Sequence, residues 1–150
     1  MNNIGIRNKE LGIRNYKILL VLLSLTFFAA ACNKKNTLII GGHVLNIQVA
    51  DTQAARTQGL SGRDSLAEND AMLFVFSNPD KYGFWMKDMK FPLDFIWVRN
   101  AKVVEITPNV PVLPLQTYVP NEDIDSVVEV NAGWSEKNKI KVGDSVMLTP

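Results

Sequence analysis

Tyr82-Gly83-Phe84-Trp85-Met86-Lys87-Asp88-Met89-Lys90-Phe91-Pro92-Leu93-Asp94-Phe95-Ile96-Trp97-Val98 is the stretch on which the reading of this chain turns. It divides into two apolar runs joined by a short charged turn, with Pro92 bounding the second run. Extended backbone sends successive side chains to opposite faces. Phe84 and Met86 then share one face, and Trp85 and Lys87 the other. Leu93, Phe95 and Trp97 share a face, and Asp94, Ile96 and Val98 oppose them. A strand apolar on both faces belongs inside a sheet rather than at its edge. Asp94 is thereby an acid in apolar company, and a buried acid is costly unless it is paired or hydrogen-bonded. Arg63, Lys87 or backbone N–H groups are its expected partners.

The flanking sequence repeats the β signature. Thr37 to Ile40 and Val44 to Val49 are β-branched runs around Gly41-Gly42, which predicts a hairpin. Ala71 to Phe76 lacks polar alternation and predicts a strand buried on both faces, ended by Ser77-Asn78-Pro79-Asp80. Lys102 to Ile106 and Ser126 to Val130 are further strands, and Ser145 to Leu148 is the last. Glu129 sits in apolar surroundings like those of Asp94. Thr107 to Asp125 holds Pro108, Pro111, Pro114 and Pro120, so it is expected to be a loop or edge segment. Its large aromatic, Tyr118, is placed to fold back over a pocket. Asp51-Thr52 caps a short helix over Gln53 to Gln58 that ends at Gly59, and Asn131 is expected to cap another through Asn138. The predicted class is mainly β: a compact sandwich-like or barrel-like single domain with two or three short helices.

The start of the chain reads as an address. Ile18 to Ala31 is apolar, follows a basic segment and ends in small residues before Cys32. That is the pattern of a signal peptide, and the run is shorter than the roughly 20 apolar residues of a spanning helix. Ala29-Ala30-Ala31-Cys32 resembles a bacterial lipobox, with Ala29 where leucine is usual. The expected organisation is a signal peptide over 1–31 cleaved before Cys32, a lipidated tether over 32–37 and the folded domain over 38–150. Cys32 is the one cysteine of the chain, so it has no intrachain disulfide partner. Asn33 after it, by resemblance to sorting rules in Gram-negative cells, favours the outer membrane, and the domain is expected to face the periplasm.

Composition narrows the partners. The whole chain carries a net charge of +1, but the segment before Cys32 is basic and the remainder is mildly acidic. Such a domain lacks the basic stripe that phosphate binding requires, so nucleic acid is not expected as a partner. No cofactor is expected. His43 has no second histidine or free cysteine to complete a metal site. Met86 and Met89 suggest soft-metal ligands, but core filling accounts for them better.

Several motifs occur in order: Gly59-Leu60-Ser61-Gly62-Arg63, Met72-Leu73-Phe74-Val75-Phe76, Phe84-Trp85-Met86-Lys87-Asp88-Met89, Pro92-Leu93-Asp94-Phe95-Ile96, Val127 to Trp134, and Val142-Gly143-Asp144. Together they resemble the bacterial and archaeal family called domain of unknown function 192, from about Leu45 to Leu148. This chain has Ser61 and Asp88-Met89 where the family usually has methionine and asparagine-threonine. The resemblance implies a mostly β fold and no established activity. Its motifs retain Arg63, Trp85, Lys87, Asp94 and Glu129.

These residues, with Tyr118, are the candidate ligand site, and Arg63, Lys87, Asp94 and Glu129 are expected to form one cluster. An envelope-anchored binding or interaction module, taking a small polar or anionic ligand through an arginine clamp and an indole, is the first reading. An enzyme using Asp94 and Glu129 as an acid/base pair is the second, since no serine, cysteine or histidine nucleophile motif is present. A structural protein of envelope assembly, with the charges in a satisfied core network, is the third.

Overall fold

The computed structural model describes residues 36–149. The apolar run, the lipobox-like segment and Cys32 lie outside the described residues. The elements run in the order β1 (Thr37–Ile40), β2 (His43–Ala50), α1 (Gln53–Gln58), β3 (Asp70–Asp80), β4 (Phe84–Trp85), β5 (Leu93–Arg99), β6 (Lys102–Val110), β7 (Thr117–Tyr118), β8 (Ile124–Asn131), α2 (Trp134–Lys137) and β9 (Val146–Thr149). The protein is mainly β, as its sequence predicts.

Seven strands form one sheet in the order β6-β5-β8-β3-β2-β1-β9, and β4 pairs with β7 as a separate ribbon. All neighbours in the large sheet are antiparallel except β2 and β3. That pair is parallel because α1 and the turns after it carry the chain back across. The two outer strands approach each other at one point. Lys102 and Ser145 form an isolated bridge, and Val103 N–H donates to the Asp144 carbonyl at 3.0 Å. The sheet therefore curls into a half-barrel.

Each face has its own core. One gathers side chains from all seven strands, among them Leu38, Leu45, Leu73, Ile96, Val103, Val128 and Val146, and is plugged by Trp134 of α2. Only a curled sheet brings its first and last strands onto one interior. The other face holds Met72, Phe74, Phe95, Trp97 and Val127, covered by Leu60, Phe84, Met86 and Met89. Strand β5 lies between β6 and β8 and divides its side chains between these cores in the alternation expected for it. Trp97 is fully buried, with its indole N–H donating to Thr107 Oγ1 at 2.8 Å.

Four features differ from expectation, two of them through proline in bulges. Strand β3 runs on to Asp80 because its register with β8 slips between Val75 and Asp80. Pro79 lies within that irregularity, where the missing N–H is tolerated. Strand β6 continues to Val110 instead of ending at Ile106, since it is an edge strand with a register shift opposite Leu93–Phe95 that takes up Pro108. The loop expected through Asp125 is also shorter, because it contributes β7 and the start of β8. Fourth, Asn131 does not cap α2. Its side-chain amide donates to the carbonyls of Leu66 and Ala67 at 3.0 and 3.1 Å.

Candidate functional site

Asp94 is fully buried on the enclosed face. Its Oδ1 accepts from Asn109 N at 2.8 Å and Gly133 N at 2.9 Å, and its Oδ2 from Ser135 N at 2.9 Å. Each donor is available for a local reason. The β6 bulge turns Asn109 to φ 55, a left-handed conformation that asparagine tolerates, and frees its N–H from the ladder. Gly133, at φ 80, begins α2 and has no side chain to cap it. Asp94 supplies that cap from a neighbouring strand. Of the three partners expected for it, backbone N–H groups are the ones found.

Glu129 faces the other way. It stands opposite Phe95 on β5 and Met72 on β3, whose side chains belong to the outer core. Asp94 stands opposite Val130, which belongs to the enclosed core. The two acids are thus on opposite faces of the sheet, and Arg63, Lys87, Asp94 and Glu129 do not form one cluster. The expectation failed because period-2 alternation fixes faces within a strand but not the register between strands.

Glu129 is 5% exposed. Among the described residues it makes no ion pair. Burial pushes its carboxyl up to about 8, against the opposing pull of the Arg63 guanidinium. At neutral pH most of the folded molecules therefore hold this carboxyl protonated. Arg63 itself donates to Gln48 Oε1 at 2.6 Å. Gln48 pairs with Met72 and Met72 with Glu129, so arginine and acid are joined through one cross-sheet row.

Glu129 forms the floor of a groove of about 540 Å³. One wall is α1 and the turn after it: Gln53, Arg56, Thr57, Gln58, Gly59, Leu60 and Ser61. The helix has no buried residue of its own, so it stands over the groove as a polar cover. Gly59 lets it approach, since a Cβ there would lie 3.3 Å from the Phe74 ring at a backbone φ of +49. The opposite wall is the end of β3 and the turn into β4. There Phe76 and Tyr82 stack with centroids 3.6 Å apart, and Tyr82 O–H donates to the Asn78 carbonyl at 2.7 Å. Arg56 is held in place: its Nη1 donates to the carbonyls of Asp51 at 2.6 Å and Val75 at 2.9 Å, and its guanidinium lies 5.3 Å from the Phe76 centroid.

Trp85 is 53% exposed and lines the groove, while its neighbours Phe84 and Met86 are buried. It also lines a smaller adjoining depression with Lys87 and Asp88. The structure thus brings Trp85 together with Glu129 on one side and with Lys87 on the other. Tyr118 lines neither. It sits opposite Phe84 in the ribbon and packs edge-on against Phe95 at 5.7 Å. Met86 and Met89 are buried in the outer core, away from His43, which meets Trp134 edge-on at 6.2 Å. No group of three metal-ligating side chains occurs among the described residues. Sequence reasoning missed Tyr82, Asn78 and the polar face of α1. Their available signal was the pairing of an aromatic-ended strand with a helix too polar to be buried.

The family domain of unknown function 192 (uncharacterized ACR) matches residues 36–148. The chain belongs to this family. A candidate transcription regulator from Sinorhizobium meliloti 1021 has a similar structure, at 26% identity and a TM-score of 0.70, over 76% of this chain and 92% of that one. A protein of unknown function from Novosphingobium aromaticivorans is similar at 30% identity and a TM-score of 0.70, over 75% of this chain and 83% of that one. None of the curated proteins compared matches. The curled half-barrel is the fold that these similar structures share with this chain.

Proposed function

We propose that this protein is a cell-envelope lipoprotein whose β domain is a small binding module, with the Glu129 groove as its ligand site. The observation that carries the reading is a buried carboxyl with no hydrogen-bond or ion-pair partner among the described residues, at the floor of a groove beside an exposed indole. A buried acid is normally hydrogen-bonded or paired, as Asp94 is, and a strongly shifted carboxyl in a cleft marks a candidate functional group. Groove volumes of 300–1,000 Å³ with apolar walls and a few convergent polar groups are typical of small-molecule sites. The anchor rests on the apolar run, the small residues before Cys32 and the lack of another cysteine. Two or more acyl chains make a stable membrane attachment. The domain then works in the envelope, with the outer membrane facing the periplasm as the proposed location.

The two-carboxylate enzyme is less well supported, because a substrate cannot contact Asp94 and Glu129 from opposite faces of one sheet. The anion clamp is also weaker than its sequence suggested, since neither Arg63 nor Lys87 lines the main groove.

A thermal-shift screen of the full-length protein in detergent, against sugars, peptides, nucleotides and metal ions, tests the site. A ligand that binds only the folded state raises the melting temperature by mass action. The rise should be lost in Trp85→Ala. A screen in which no compound shifts the midpoint would remove the binding reading. Incorporation of labelled fatty acid, present in the parent and absent in Cys32→Ser, tests the anchor.

A further inference from the structure

We infer that the groove takes an uncharged, hydroxylated ring with one apolar face, the chemistry of a neutral carbohydrate. The inference rests on the binding reading above and names the ligand class for that same groove.

Charge and shape both point to this class. The groove is lined by the Arg56 guanidinium and by the Glu129 carboxyl, which is held protonated at neutral pH and is not paired with the arginine. Arg56 is fixed by two backbone carbonyls and an aromatic ring, so it cannot swing away from an incoming cation. The guanidinium is engaged by those partners rather than free to clamp an anion, and a cation crossing the groove would find no carboxylate at its floor. A neutral ligand needs neither counter-charge. A protonated carboxyl both donates and accepts, as a hydroxyl does, whereas a carboxylate only accepts. The remaining polar groups of the walls are amides and hydroxyls, Gln53, Thr57, Gln58 and Asn78, which also combine both roles.

The apolar requirement comes from Trp85. Its indole is exposed at the groove while the aromatic residue before it is buried, so a large apolar face is offered to solvent at the point where a ligand would enter. Aromatic side chains supply large, rigid contact area of this kind. A pyranose presents C–H groups on one face and hydroxyls around its rim, which fits an indole at the side and hydrogen-bonding groups at the floor.

Titration of the full-length protein in detergent, followed by tryptophan fluorescence and by calorimetry, tests this. Trp97 and Trp134 are buried, so a ligand-induced emission change reports Trp85. The probes are N-acetylglucosamine, its disaccharide, galactose and maltose, against glucose 6-phosphate, glutamate and putrescine. At least one neutral sugar should bind saturably and at least ten-fold more tightly than any charged probe. Trp85→Ala should weaken that binding at least ten-fold by calorimetry while circular dichroism is unchanged. Glu129→Gln, which keeps a donor and an acceptor, should retain binding better than Glu129→Leu. Binding of a charged probe with no neutral sugar bound would overturn the ligand class and leave the groove a binding site. Binding of none of the probes by either method would overturn the ligand class, and with a negative thermal-shift screen the binding reading as well.

Discussion

Two acids on adjacent strands make the most instructive contrast in this molecule. Asp94 on β5 and Glu129 on β8 are both buried, both set in apolar runs, and only one residue out of register with each other across the sheet. Asp94 accepts three backbone N–H bonds and lines neither of the two depressions described above. Among the described residues the Glu129 side chain accepts no hydrogen bond, and it lines a groove. The same amino-acid chemistry is a structural staple on one face and lines a groove on the other. What separates them is the availability of donors: a bulge and a helix start meet at Asp94, whereas Glu129 lies in mid-ladder, where the backbone donors are spent on the sheet.

The contrast is broken most severely at Asp94. Asp94→Ala strands three N–H groups, two of them at the start of α2, and should destabilise the fold by about 3–5 kcal/mol, each buried orphan costing about 1–3 kcal/mol before relaxation. Chemical denaturation of the variant measures this. A loss below about 1 kcal/mol would mean the bonds contribute little.

The next effect is a pH dependence peculiar to Glu129. The folded state holds its proton to about 8, while the unfolded chain releases it near 4.5. Between those values the folded state binds more protons, so stability falls as pH rises and levels off above about 8. The contribution is fully present below about 4.5. The slope for one such group approaches about 1.4 kcal/mol per pH unit at most. Glu129→Gln should flatten this part of the profile, as denaturation midpoints from pH 5 to 8 will show. An unchanged slope in the variant would assign the dependence elsewhere.

Smaller still is the influence of Arg63, whose charge lowers the Glu129 carboxyl against burial. Arg63→Ala should move the Glu129 titration to higher pH, followed by carboxyl NMR. The least effect on stability is expected at Trp85. Trp85→Ala removes a half-exposed side chain and should change stability by no more than about 0.5 kcal/mol, in the range of surface substitutions.

Much of this was legible in the sequence, and the limits have a physical cause. The alternation in Leu93 to Val98 assigns these six side chains of β5 to the correct faces, and Thr52 caps α1 as its sequence position predicts. Asp94 and Glu129 were each recognisable as acids in awkward places. Their separation was not, because it depends on Asp94 standing opposite Val130 and not opposite Glu129. A one-residue slip would have put both on one face. The cap of α2 was assigned to the nearest polar residue, Asn131, whereas the real cap comes from a different strand. Local propensity cannot foresee such a donor–acceptor match. Tyr118 was placed over a pocket on the strength of its loop, but the ribbon with β4 holds it against the core instead.

The position of β1 has a mechanical consequence. Each of its four residues is paired on both sides, with β2 and with β9. Tension on the chain ahead of Thr37 therefore enters an interior strand and pulls along its length. Two ladders resist it together in shear, so the bonds must yield in parallel rather than one after another, as they would if a free outer strand were peeled away. A domain tugged from that end is thereby gripped at one of its stiffest points.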